Sequence, residues 1–189
     1  MAMKKEKLRL YLPSEYKKTI YDIDYNLLKK EGYNTIFFDL DNTIADYQTF
    51  FPTSLMINLI ENVKNLGFNI YILTNNTKKR IKNFKDSFNV TCFESLHKPF
   101  TRKIRKKIIE YNIDKSKIVW IGDQVVTDIK CANVLSIKSI LVDPIKPSTE
   151  KWYTKINRIF ERRYMKKIKQ EFNEEYNTLG VDTRYAVNR

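Results

Sequence analysis

The 189-residue chain is short of several residue types: it has four glycines, five prolines, two cysteines and one histidine. So few glycines and prolines leave no room for a low-complexity linker, and no segment repeats. Cys92 and Cys131 stand far apart and form no C-x-x-C pair. That favours two buried small apolar residues in a reducing cytosol over a disulfide. His97, as the single histidine, lacks partners for a metal site. No window reaches the roughly 18 to 20 apolar residues that span a bilayer. The charged start MAMKKEKLRLYLP runs into no sustained apolar stretch, so no signal peptide is expected. The expected location is the cytoplasm, either free or peripheral on the inner face of a membrane.

The length and a hydrophobic content of 42% suit one ordinary globular domain with a real core. Charge is one-sided: 35 Lys and Arg against 22 Asp and Glu leave a net +13. An excess of that sign favours a polyanionic partner, whether nucleic acid, an anionic membrane surface or a phosphorylated substrate.

Thr35 to Leu40 is a β-rich apolar run that reads as a buried strand ending in Asp39-Leu40-Asp41-Asn42-Thr43. Residues two apart on an extended chain share a face, so the carboxylates of Asp39 and Asp41 point the same way. Two like charges so close need a cation or a shared proton, and a hard divalent ion such as Mg²⁺ suits oxygen ligands. Taken alone, the pentapeptide could equally be a strand ending in an acidic turn.

Along the chain, Ser14 begins a candidate short helix, and Asp24 caps a second helix that Gly32 stops. Leu55, Met56, Leu59, Ile60, Val63 and Leu66 recur at helical spacing up to Gly67. Strands follow at 68–73, 90–93, 117–121 and 139–142, with helices at 78–88, 101–111 and 127–134 between them. The alternation predicts an α/β, Rossmann-like fold: a parallel sheet of about five strands sandwiched by helices. Sites in such sheets lie beyond the carboxyl ends of the strands. Asp39 and Asp41, Thr74 and Asn75, Lys98, and Asp123 all fall at that edge.

Together these types suit phosphoryl chemistry. One aspartate can attack phosphorus, a second can protonate the leaving alcohol and then deprotonate water, and a third can help hold a metal. Thr74 and Asn75 offer neutral donors to phosphate oxygens, and Lys98 offers a point charge.

DLDNT at 39–43, LTN at 73–75, Lys98-Pro99 and GDQVVTD at 122–128 resemble, in order, the four motifs of haloacid dehalogenase (HAD) superfamily phosphatases. The resemblance implies Asp39 as nucleophile and Asp41 as general acid/base, with Thr74, Asn75 and Lys98 binding phosphate. It also implies an Mg²⁺ site built from Asp39, Asp41 (through its main-chain carbonyl), Asp123 and, in support, Asp128. Longer segments, covering most of residues 11–165, resemble the YqeG-type branch, related to mitochondrial phosphatidylglycerophosphate phosphatases. The implied reaction removes the terminal phosphate of phosphatidylglycerophosphate to give phosphatidylglycerol. The gap between the first two motifs is used up by one helix and its loops, and a similar gap before Lys98 holds one helix and one strand, so no cap domain is expected and the site should be open.

The expected organisation is a HAD-like core with a helical lead-in over 1–145, a basic amphipathic helix over 146–172 and a polar tail over 173–189. Residues 146–169 carry nine Lys and Arg against Glu150 and Glu161, a net +7. Trp152, Ile156, Ile159, Phe160, Tyr164 and Ile168 recur at helical spacing among them. Such a helix could lie on anionic phospholipid or pack its apolar stripe on the domain. Other readings stay open: a phosphatase of nucleic-acid ends or phosphoproteins, or a non-catalytic, RNA-binding HAD-like module. The last would be expected to have lost Asp39, Asp41 or Lys98, and all three are present.

Overall fold

Thr35, Ile36, Phe37 and Phe38 are β-branched or aromatic, which favours extended backbone packed on both faces. In the computed structural model, which describes residues 2–186, they form the central strand of a parallel sheet, buried at every position. The chain runs α1 (Ala2–Arg9), β1 (Glu15–Lys17), α2 (Tyr25–Lys30), β2 (Thr35–Asp39), α3 (Ser54–Asn65), β3 (Asn69–Leu73), α4 (Lys78–Phe88) and β4 (Thr91–Phe93). It continues through α5 (Arg102–Glu110), β5 (Ile118–Gly122), α6 (Lys130–Val134), β6 (Lys138–Val142), α7 (Trp152–Glu171), α8 (Asn173–Leu179) and α9 (Asp182–Ala186). Each crossover from β2 to β6 is filled by a single α-helix.

The strand order is β1-β6-β5-β2-β3-β4. From β2 the chain moves outward through β3 to β4, then returns to lay β5 on the other side of β2. That reversal opens a crevice at the carboxyl ends of β2 and β5. The register aligns its rims: Phe38 pairs with Ile121 and Asp39 with Leu73. Asp39, Thr74 and Asp123 therefore leave the sheet at one level.

Alternation along the strands divides the core. Ile36 and Phe38 pack with Leu28, Ile60, Val63, Phe84 and Phe88 from α2, α3 and α4. Phe37 points to the opposite face, with Trp120 of β5, Ile104 and Ile108 of α5, Cys131 and Ala132 of α6 and Leu135 just after it. Burying each such large side chain contributes about 1.5–3 kcal/mol. Both cysteines are free and buried, and burial pushes each thiol up to about 12.

The structure departs from the sequence reading in three places. There are six strands, because residues 15–17, expected in a helix from Ser14, add a strand to the free edge of β6. A 3₁₀ turn follows at Ile20–Asp22, closed by reciprocal bonds between Thr19 and Asp22. Three residues are too few to show a period; the unpaired edge of β6 decides their conformation. The helix expected over 127–134 begins instead as a π-helical turn, Val125–Ile129, that carries Asp128 inward.

The third correction concerns residues 173–189, read as a polar tail. The described part is helical, and Tyr176 and Val181 are buried with Leu141, Met165 and Ile168 while Leu179 and Tyr185 pack alongside. These apolar residues are diluted among polar ones, so no stripe announces them. Helix α7 itself is divided. Met165 and Ile168 are buried, and Tyr164 stacks on Tyr11 at 3.9 Å. Trp152, Tyr153, Ile156, Ile159 and Phe160 are exposed. Among the described residues, no helix is long and apolar enough to cross a membrane.

Candidate active site

Asp39 ends β2, and the chain then turns back on itself. Asn42 takes a left-handed conformation (φ 62°), which an asparagine tolerates, and its N–H donates to the Ala45 carbonyl at 2.7 Å. This turn brings Thr43 beneath the crevice, where its hydroxyl lies 3.3 Å from Asp39 Oδ2 and 3.4 Å from Asp123 Oδ1. The crevice holds a cavity of about 130 Å³. Asp39, Asp41, Thr74, Asn75 and Lys98 line it from the sheet, and Tyr153, Thr154 and Asn157 line it from α7.

Lys98 is buried at the centre. Its Nζ donates to Asp39 Oδ1 and Asp128 Oδ1, both at 2.6 Å, and to the Leu73 carbonyl at 3.1 Å. Burial by itself would lower its pKa; the two carboxylates override that and hold the ammonium above its ordinary value. Asp39 is raised well above the usual carboxylate range, by burial first and by Asp128, Asp123 and Asp41 beyond it, with Lys98 opposing. Burial also pushes Asp123 up to about 6, against the pull of Arg158.

Asp39, Asp123 and Asp128 each offer a carboxylate oxygen within 4.8 Å of the others, and all three are buried. The metal role expected of Asp41 is through its main-chain carbonyl, and its carboxylate is not in that group. It is held at the mouth by Arg80 Nε (3.0 Å), Asn76 Nδ2 (2.6 Å) and the Thr74 hydroxyl (3.3 Å). Only its main-chain carbonyl remains for a metal. Asn75, expected to donate to phosphate, joins the Lys98 main chain twice: it accepts from the N–H at 2.6 Å and donates to the carbonyl at 3.0 Å. It thereby fixes the loop that presents Lys98. His97 is exposed beside it, with a left-handed backbone.

Five charged residues were given no place in the site by the sequence reading: Arg80, Glu150, Arg158, Glu161 and Arg184. Arg158 donates to Asp123 Oδ2, to the Asp123 carbonyl (2.6 Å) and to Glu150 and Glu161. Arg184 donates to the same carbonyl at 2.5 Å and to Glu161 at 2.8 Å. Burial would raise Glu161, but Arg184 and Arg158 bring it below its ordinary value. On the sequence all five resemble residues of a solvated face; Glu150, Arg158 and Glu161 count only toward the charge of the basic segment 146–169.

The network's charge supports a divalent cation. Six carboxylates (Asp39, Asp41, Asp123, Asp128, Glu150, Glu161) face four cations (Arg80, Lys98, Arg158, Arg184), which leaves two negative charges in a buried region. One hard divalent ion on an all-oxygen donor set offsets that excess.

Gly122 packs against this cluster. A Cβ there would lie 2.5 Å from both Cβ and Cγ of Asp128. Gly122→Ala is therefore expected to push Asp128 off its partners. Turnover should fall about 10²-fold, with about 1–3 kcal/mol of stability lost to overpacking. Urea unfolding and initial rates at saturating Mg²⁺ check this; wild-type rates would show that Asp128 can shift at no cost.

Residues 48–142, half of the chain, match the haloacid dehalogenase-like hydrolase family. That span contains Thr74, Asn75, Lys98, Asp123 and Asp128 and begins after Asp39 and Asp41. The chain is 29% identical over 163 residues to "Probable phosphatase YqeG" of Bacillus subtilis (strain 168), covering 86% of this chain and 94% of that protein. A crystal structure of an uncharacterized protein from Listeria monocytogenes serotype 4b matches with a TM-score of 0.50 and 20% identity, over 61% of this chain and 80% of that one. That likeness is one of fold alone.

Proposed function

Because the chain belongs to the haloacid dehalogenase-like hydrolases, we propose that it is a phosphomonoester hydrolase acting through an aspartyl-phosphate on Asp39. The observation that carries this reading is the buried Asp39–Lys98–Asp128 chain, with Asp41 two residues from Asp39 on the same cavity wall. An Asp39 oxygen attacks phosphorus, the bond to the leaving oxygen breaks, and Asp41 gives that oxygen its proton. Asp41 then takes a proton from water, whose oxygen attacks the same phosphorus and releases phosphate and Asp39. Lys98 balances negative charge on the phosphoryl oxygens, and the Thr74 hydroxyl orients Asp41. A divalent cation, Mg²⁺ in this reading, would be held by Asp39, Asp123, Asp128 and the Asp41 carbonyl, where it would offset their charge and polarise the phosphoryl group.

The substrate in this reading is phosphatidylglycerophosphate, met at an anionic membrane. What supports it is the exposed aromatic and basic surface beside Arg80 and along α7. Trp152 is 73% exposed, Phe51 70% and Phe50 60%, an unusual display for a surface in water. Phe50 flanks Arg80, which holds Asp41, and Lys151 reaches Asn76 at 3.2 Å. Lys155, Arg162, Arg163, Lys166 and Lys167 are exposed along α7. Each cation near such a surface contributes about 1 kcal/mol.

The test is a substrate panel with Mg²⁺: phosphatidylglycerophosphate in anionic vesicles, 5′-phosphorylated oligonucleotides and phosphopeptides. The lipid is expected to give the highest kcat/KM; a higher value on either of the others would replace it as the substrate. Changing those five cations together to glutamine is expected to weaken anionic-vesicle binding at least about tenfold. It should lower turnover on vesicles more than turnover of a soluble aryl phosphate. Equal losses would make α7 purely structural. Arg158 stays out of this set because it contacts Asp123.

A further inference from the structure

The C-terminal helices do more than cover the sheet. Two arginines from different helices, Arg158 of α7 and Arg184 of α9, converge on one residue, Asp123. Both donate to its main-chain carbonyl, at 2.6 and 2.5 Å, and Arg158 also takes its Oδ2. The other carboxylate oxygen, Oδ1, stays beside the Thr43 hydroxyl, which also reaches Asp39.

We propose that Arg158 and Arg184 form a positioning clasp that fixes the rotation of the Asp123 carboxylate, so that it offers one oxygen, Oδ1, to a divalent cation shared with Asp39 and Asp128. The clasp rests on the reading of the site as a metal-dependent hydrolase, and it makes α9 part of the metal site.

The partners of the two guanidiniums show how the orientation is held. Glu150 Oε1 accepts from Arg158 Nη2 at 2.6 Å and Nε at 3.1 Å, and also from Asn42 Nδ2 at 3.1 Å. Glu150 thus ties the arginine to the turn after Asp41. Glu161 Oε2 accepts from the Val125 N–H at 3.1 Å and from Arg158 at 3.2 Å. Its Oε1 accepts from Arg184 and from the Tyr185 hydroxyl, both at 2.8 Å. Arg184 Nη1 anchors the far side on the Val142 carbonyl. Val125 and Asp123 flank the same turn, so the clasp grips the loop after β5 as well as its carboxylate.

Burying so many charges is a poor route to stability, since well-packed apolar residues of similar volume would serve as well or better. Outer partners that orient a metal ligand carry a different benefit: their loss costs about 10–100-fold in metal affinity. Lysine retains the charge of Arg158 but lacks the planar fork, and one ammonium cannot hold Asp123 Oδ2, the Asp123 carbonyl, Glu150 and Glu161 together.

The experiment titrates the full chain with Mn²⁺ alone, reading free Mn²⁺ by electron paramagnetic resonance, with no substrate present. Arg158→Lys is expected to raise the Mn²⁺ Kd at least tenfold while thermal unfolding stays cooperative. Arg184→Lys, which touches only the carbonyl side, should shift it in the same direction by less and serves if Arg158→Lys does not fold. An unchanged Kd in both overturns the clasp. A tighter Kd in Arg158→Lys also overturns it, because the arginine would then be competing with the cation for Asp123. Wild-type protein that binds no Mn²⁺ would remove the metal reading of the site, a failure distinct from either of these.

Discussion

Replacing Asp39 by asparagine is expected to lower phosphatase turnover by about four orders of magnitude or more while leaving the protein folded. The rate falls because an amide cannot accept a phosphoryl group, and removing a nucleophile that works within a coupled set costs nearly the whole chemical acceleration. The fold survives for a separate reason. Asp39 is buried among three further carboxylates, which together with burial raise its pKa. Asparagine relieves that repulsion and can still accept the Lys98 hydrogen bond through its own oxygen. Its unfolding midpoint should match or exceed that of the wild type. A folded Asp39→Asn protein that kept turnover within tenfold would sink the covalent mechanism.

Lys98→Met should have the opposite balance: a large loss of stability as well as of turnover. Lys98 Nζ is bound by Asp39 and Asp128, and its side chain is 3% exposed. Methionine fills similar volume but leaves two buried carboxylates without their nearest cation. Breaking a buried ion pair from one side typically costs about 3–5 kcal/mol. Urea unfolding in the absence of divalent ions measures this directly. Added Mg²⁺ should return part of the loss, because a ligand bound only by the folded state stabilises it by mass action. A variant within about 1 kcal/mol of the wild type without metal would show that the carboxylates shed their charge cheaply, against the ion-pair account.

Much of the frame was legible in the residues. Strands β2 to β6 and helices α2 to α6 follow from local apolar patterning and from caps such as Asp24, whose carboxylate accepts from the Leu27 N–H at 2.9 Å. The polar residues at the strand ends could be placed at one edge because a parallel sheet puts every carboxyl end there. β1 was not legible, since its three residues are extended only because β6 offers them an unpaired edge. The buried helices after Phe172 were not legible either: Tyr176 and Val181 become core only once α7 and the end of β6 lie beside them.

Sequence by itself determined the chemistry that can occur here. Asp39, Asp41, Lys98, Asp123 and Asp128 are the residue types phosphoryl transfer needs, and the β-α alternation brings four of the five directly to strand ends or the loops after them. Tertiary structure alone decided how those charges are paired. It set the Asp41 carboxylate against Arg80 rather than beside Asp39, Asp123 and Asp128, and made Arg158, one of the nine cations of residues 146–169, a partner of Asp123. It also carried Arg184, two residues before the last described one, into the same network. The physical reason is that a charged side chain reads the same in a sequence whether water or a buried carboxylate neutralises it. For Arg80, Arg158 and Arg184 it depends on carboxylates 23 to 39 positions away, brought near only when the sheet and the C-terminal helices have packed.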